Sequence, residues 1–327
     1  MAEFGYWLSS EEHTPSDLVR NAVMAEKAGF EWAMISDHYH PWIDAQGHSA
    51  FVWSVIGGIA SATERLHLGT GVTAPIIRIH PAILAQAAAT SAAMMPGRFF
   101  LGVGTGENLN EHVTGERWPP YTVRAEMLRE AVEVMRLLWQ GGLKSHRGKY
   151  YTVENARLYT LPEQPPPIFV AAGGPKSAKM AAEIGDGLIN SSPGKEVVNA
   201  YKQAGGKDRP VHGQFTFCWA RTYDEALDSA HKRWPTSALK GTLTQELPLP
   251  SNFEDAASMV TKDMIAESMV LGPDPAPYVE RIRKYVDSGF THIYLSQIGL
   301  DQEGFIDFWK RELQPALGDL SKSGAGR

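Results

Sequence analysis

Ser36-Asp37-His38-Tyr39-His40-Pro41-Trp42 places a carboxylate, two imidazoles and an indole directly behind the apolar run Trp32-Ala33-Met34-Ile35. Such a run suits a buried strand, and titratable groups at its end lie on the rim where a parallel barrel collects its reactive side chains. Imidazole titrates near neutrality, which fits His38 for proton transfer. A plainer reading has Asp37 capping the next segment and His38 satisfying a core hydrogen bond, with Pro41 preventing an immediate helix. The spacing of His38 and His40 raises a metal, but a catalytic metal needs ligands from other strand ends. Those ends read Ala171 to Gly174, Asn190 to Ser192 and Gln297, without the His or Asp required, so no metal centre is expected. No Gly-x-Ser-x-Gly elbow supports serine hydrolysis.

Three further stretches could do chemistry. Gly102-Val103-Gly104-Thr105-Gly106-Glu107 is not a dinucleotide fingerprint, because Glu107 replaces its third glycine and no helix is expected to open there. Either the glycines let a flat ring approach the backbone while Glu107 projects beside it, or this is a glycine-rich turn with a solvated glutamate. Gly69-Thr70-Gly71-Val72-Thr73-Ala74-Pro75 suggests a bulge. Ala171-Ala172-Gly173-Gly174-Pro175-Lys176-Ser177 leads into a helix whose first amides, with Lys176 and Ser177, could hold a ligand phosphate; an ordinary strand-to-helix loop is the alternative.

The elements that must carry these residues follow one phrase: amphipathic helix, glycine, short apolar strand. It recurs at Leu18 to Ile35 around Gly29, at Ala178 to Ile189 around Gly185, and at Tyr278 to Leu295 around Gly289. Each glycine is expected in the left-handed conformation past the last helical turn. Strands are expected near Phe4–Leu8, Trp32–Ser36, Leu66–Thr70, Arg98–Val103, Ile168–Ala172, Gly187–Ser191, Gly213–Trp219 and Thr291–Ser296. Helices fit between them, including Ala50–Ala62 and Pro81–Met95. This alternation predicts an α/β fold, a (β/α)8 TIM barrel, as a single domain over 1–320. Insertions fall near 106–121, 141–167 (a hairpin) and 235–266, and a small, polar tail at 321–327 is expected to be flexible.

With 327 residues and 43% hydrophobic content the chain can bury a large core. A net charge of −6 without a basic cluster argues against nucleic acid, and no run reaches membrane-spanning length. The single Cys218 and an N-terminus without a signal peptide point to the cytoplasm. Pairing of copies through Pro81–Met95 makes a homodimer the expectation.

Ser36 to Trp42, Gly102 to Glu111 and Ala171 to Pro175 together resemble the luciferase-like superfamily, and within it the coenzyme F420-dependent glucose-6-phosphate dehydrogenases. The similarity runs from the first strand to about Leu317. It implies a barrel that binds the deazaflavin at the strands' C-terminal ends and transfers a hydride from a carbinol carbon to C5 of its ring. By matching position, His38 would be the base, Glu107 would protonate or hydrogen-bond the N1 side, and Trp42 would shape the pocket. Asp37, Thr105, Gly106 and Asn110 would hold the ring and its tail; Gly173, Gly174, Lys176 and Ser177 would hold the phosphate. Gly71 and Val72 match a backing bulge that is often a cis peptide. The sugar-phosphate clamp departs from the family: Ser191 stands for a threonine, Lys195 lies beside Gly194 at a lysine position, Lys240 is a loose second lysine, and Ser268 replaces an arginine. Losing a guanidinium weakens a dianion site, so the substrate is a sugar, a sugar phosphate or another secondary alcohol. An FMN-dependent monooxygenase and a non-catalytic deazaflavin-binding protein are the alternatives.

Overall fold

The structure, a computed structural model, describes residues 1–321. Of the expected tail only Ser321 is among them, bridged to Ala2, and 322–327 lie outside the described residues. Eleven strands occur in chain order: β1 Glu3–Leu8, β2 Trp32–Ile35, β3 His67–Thr70, β4 Phe99–Val103, β5 Lys144–Arg147, β6 Thr152–Ala156, β7 Ile168–Ala171, β8 Gly187–Asn190, β9 Val211–Cys218, β10 Val270–Leu271 and β11 His292–Gln297. Eight of them pair in parallel around a ring, β9-β11-β1-β2-β3-β4-β7-β8, and β8 closes onto β9 at Leu188↔Val211. This is the (β/α)8 barrel expected from the alternation.

Strands covered on both faces are largely apolar, and β4 and β8 are buried at every position, the polar Asn190 at the end of β8 included. One set of side chains (Trp7, Met34, Phe100, Phe169, Ile189, Tyr294) forms its own cluster; the larger set joins the strands to the helices. Burying each such side chain is worth about 1.5–3 kcal/mol. Glycine makes room for the rings: a methyl at Gly69 would overlap Phe100.

The helices begin where side chains can serve orphan amides. Thr14, His80 and Asp274 each accept a first-turn N–H, and each precedes a proline whose missing N–H costs nothing there. Gly29 (φ 89°) and Gly289 (φ 91°) are left-handed as expected. Gly185 is not: it is extended at φ −105°. Its reason is proximity, since a Cβ there would stand 2.7 Å from Val170 Cγ2 and 3.0 Å from the Ala181 carbonyl oxygen.

Two further expectations need correction. Glu107 does lead into a helix, the single turn Asn108–Glu111. The stretch 235–266, for which no elements were expected, carries helices Leu243–Glu246, Pro250–Ala257 and Lys262–Ser268 (the last running two residues past it), followed by β10 alongside β9. Pro250 opens the second, and Thr261 caps the third through the Met264 amide, so local start signals outweighed the weak periodicity.

Candidate active site

The loop after β2 carries His38 to the barrel mouth, and four bonds hold it. Ser49 Oγ donates to the His38 carbonyl (2.7 Å), the Tyr39 and His40 amides donate to Asn110 Oδ1 (2.9 and 3.3 Å), and His40 Nδ1 donates to the Leu109 carbonyl (2.9 Å). His38 Nδ1 lies 3.2 Å from the His40 carbonyl oxygen. A carbonyl only accepts, so Nδ1 carries the proton and neutral His38 keeps its lone pair on Nε2.

That nitrogen sits between two carboxylates. Glu11 Oε1 is 3.4 Å away and Glu107 Oε2 3.5 Å away. Glu11 follows β1, and its other oxygen accepts from Ser9 Oγ (2.9 Å) and Ser36 Oγ (2.6 Å). Glu107 accepts from Asn110 Nδ2 (3.1 Å). Although 30% of the Glu107 side chain is open, burial holds its pKa above the usual carboxylate range; the His38 charge and the Asn110 bond oppose this, and Glu11 adds to it. Trp42 packs at 5.0 Å from the His38 ring, backed edge-on by Phe253 from the third insertion at 5.2 Å.

Sequence reasoning did not find Glu11. The signal was present: Glu11-Glu12 stands directly behind an apolar strand, as Asp37-His38 does behind the next. It likewise missed Arg78, whose Nη2 bonds Asp37 Oδ1 at 2.9 Å.

The remaining candidates divide by location. The Asp37 side chain is wholly buried and both oxygens are taken, by Arg78 and by Thr73 Oγ1 (2.6 Å), so only its backbone is open to a cofactor. Asn110 is also buried, its amide engaged by Glu107 and by the amides of the His38 loop. The Gly71–Val72 peptide is cis, and Val72 and Ala171 pack against the barrel's inner cluster. Gly104 lies between these two: a Cβ would meet Val72 Cγ2 at 2.8 Å and Ala171 Cβ at 3.6 Å. Val72, Ala171 and Gly104 make an apolar floor at the strands' C-terminal ends, the same end that carries the imidazole and the two carboxyls, and such a set fits a planar ring. Thr105 and Gly106 are partly open beside it.

Gly173 and Gly174 precede the helix Pro175–Ile184, and Lys176 is exposed. The Ser177 hydroxyl is engaged with Gly174, accepting from its amide and donating to its carbonyl, which leaves the Lys176 and Ser177 amides as the anion donors. Ser191, Lys195 and Lys240 are exposed, and among the described residues no hydrogen bond or ion pair joins them. Ser268 donates back to the Ile265 carbonyl within its own helix (2.9 Å).

The model of the luciferase-like monooxygenase family matches residues 1–292. The F420-dependent glucose-6-phosphate dehydrogenases of Nocardia farcinica and Mycolicibacterium fortuitum are each 37% identical; 98% of this chain aligns with 99% and 100% of theirs. Among solved structures, an F420-dependent secondary alcohol dehydrogenase in complex with an F420-acetone adduct superposes with a TM-score of 0.89 at 32% identity, over 97% of this chain and 99% of that one.

Proposed function

This chain belongs to the luciferase-like monooxygenase family, in the group of the F420-dependent glucose-6-phosphate dehydrogenases, and from that premise we propose that it is a coenzyme F420-dependent dehydrogenase acting on CH–OH groups. The observation that carries this reading is His38 Nε2 held between Glu11 and Glu107 at the C-terminal ends of the barrel strands.

F420, when bound, supplies a ring that accepts a hydride at C5. The residues do the rest. Hydride leaves a carbinol carbon readily only as its hydroxyl proton is removed. His38 Nε2 has the lone pair for that proton, and the Glu11 carboxylate at 3.4 Å stabilises the imidazolium that results. Glu107, whose carboxyl pKa burial raises above the usual carboxylate range, would donate to the N1 side of the ring. Trp42 walls the pocket; Val72 and Ala171 would back the ring, and the backbone at Asp37, Gly71, Thr105 and Gly106 would border it. Gly173, Gly174, Lys176 and Ser177 would hold the coenzyme phosphate. Ser191, Lys195 and Lys240 would serve a phosphorylated substrate; with serine at 268 the reading extends to uncharged secondary alcohols.

The test is a panel of free sugars, their 6-phosphates and simple secondary alcohols, followed by loss of the deazaflavin's long-wavelength absorbance. Bleaching with at least one carbinol is expected. Tight FMN binding with oxygen uptake, and no bleaching, overturns the proposal.

The helices Val52–Ala62 and Pro81–Met94 pack side by side without a charged residue, and Phe51, Ile83 and Met94 are exposed along them. This supports a homodimer, and sedimentation as a monomer at micromolar concentration would refute it. No helix among the described residues is long and apolar enough to cross a membrane. The cytoplasm is the proposed compartment.

A further inference from the structure

We propose that Arg78 is a positioning residue for this reaction: by holding Asp37 and Glu111 at once, it sets the separation of His38, which takes the substrate's proton, and Glu107, which serves the ring. The inference rests on the dehydrogenase reading of the same site. Asp37 is covalently next to His38. Glu111 is one helical turn past Glu107, with its amide donating to the Glu107 carbonyl at 3.1 Å. The two carboxylates therefore report the positions of the two reacting side chains, and Arg78 is the cation that faces both.

Its Nη2 is 2.9 Å from Asp37 Oδ1 and its Nε 3.6 Å from Glu111 Oε1, with the three side chains 8%, 0% and 1% exposed. The backbone completes the join, since the Ile77 and Arg78 amides donate to Glu111 Oε2 (3.3 and 2.9 Å). The loop that carries Arg78 is itself fixed. Tyr151, from the second insertion, donates its hydroxyl toward the Pro75 and Ile76 carbonyls (3.1 and 3.0 Å).

A planar guanidinium can address two carboxylates from two edges, whereas an ammonium is a point charge and cannot span them. One cation against two buried carboxyls also leaves little slack: burial pushes Glu111 up to about 7, while Arg78 and the amides pull it down. Displacing either carboxylate displaces the residue attached to it. A misplacement of about 1 Å at a reacting group can cost about 100-fold in rate.

The experiment is Arg78→Lys, read three ways: a crystal structure of the free variant, kcat and KM with the best carbinol at saturating F420, and Tm. The expected result is a folded protein whose His38 Nε2 to Glu107 Oε2 separation departs from 3.5 Å by about 1 Å, with kcat lowered about 100-fold and KM changed little. Wild-type separation and wild-type kcat per folded molecule, with only Tm lowered, would overturn the proposal and leave Arg78 a brace of the fold. Should Arg78→Lys not fold, Glu111→Gln keeps the acceptor for the two amides and removes the charge. It should lower kcat by about tenfold with the same drift in geometry, and unchanged geometry and kcat would again overturn the proposal. If the wild-type protein oxidises no carbinol, the dehydrogenase reading fails on its own, while the crystal structures still decide whether Arg78 sets the pair.

Discussion

His38 Nδ1 commits its proton to the His40 carbonyl, and everything asked of the ring falls on Nε2. Exchanging His38 for Ala removes the base without touching the floor or the phosphate end. Turnover should drop by roughly 100- to 10,000-fold while the F420 Kd, from fluorescence titration, stays nearly constant. Unchanged turnover would reject the base role. Glu107 makes a different prediction because burial raises its pKa. As a proton donor it is competent below that raised value and loses its proton as pH climbs through it, so kcat should decline on the alkaline side. In Glu107→Gln that alkaline limb should be absent from the pH profile; its persistence would assign the limb to another group.

Among the elements, the second insertion gathers several of its ties on one side chain. Glu130 accepts from the amides of Lys149, Tyr150 and Tyr151 and lies 3.1 Å from His146 Nε2, and a methyl at Gly148 would overlap it. Through Tyr151 the same hairpin reaches the loop beside the site. Glu130→Ala leaves three amides without their acceptor and should cost roughly 1–3 kcal/mol in urea unfolding; a loss below about 0.5 kcal/mol would show that water replaces the carboxylate. The eight barrel strands were legible because each is a short apolar run and most stand behind a helix, and His38, Trp42 and Glu107 were legible because they stand at the ends of such runs. Glu11 and Arg78 were not. Their importance comes from strands and loops far apart in sequence that meet only once the barrel closes. Gly185 shows the same limit, since its spacing fits a helix cap while its actual constraint is the neighbouring strand.

Taken as a whole molecule, the protein buries acids it does not spend on the substrate. Glu12, beside Glu11, is 1% exposed and bonded to the Gly299 amide (3.0 Å), and burial raises its pKa from 4.5 to about 7. Between those values the folded state holds a proton that the unfolded state has lost, so stability falls as pH rises through the window. Relative to Glu12→Gln, wild-type unfolding free energy should fall by roughly 3 kcal/mol from pH 4.5 to about 7, measured by denaturant titration; a flat difference would mean Glu12 is ionised throughout. His13, lowered to about 4, acts with the opposite sign but is present in both proteins and cancels. The proposed reaction turns on where the carbinol hydrogen goes. Turnover of a substrate deuterated at the carbinol carbon, with the reduced deazaflavin analysed by mass spectrometry and NMR, should place one deuterium at C5. Reduced deazaflavin without deuterium, or deuterium found only in solvent, would contradict it.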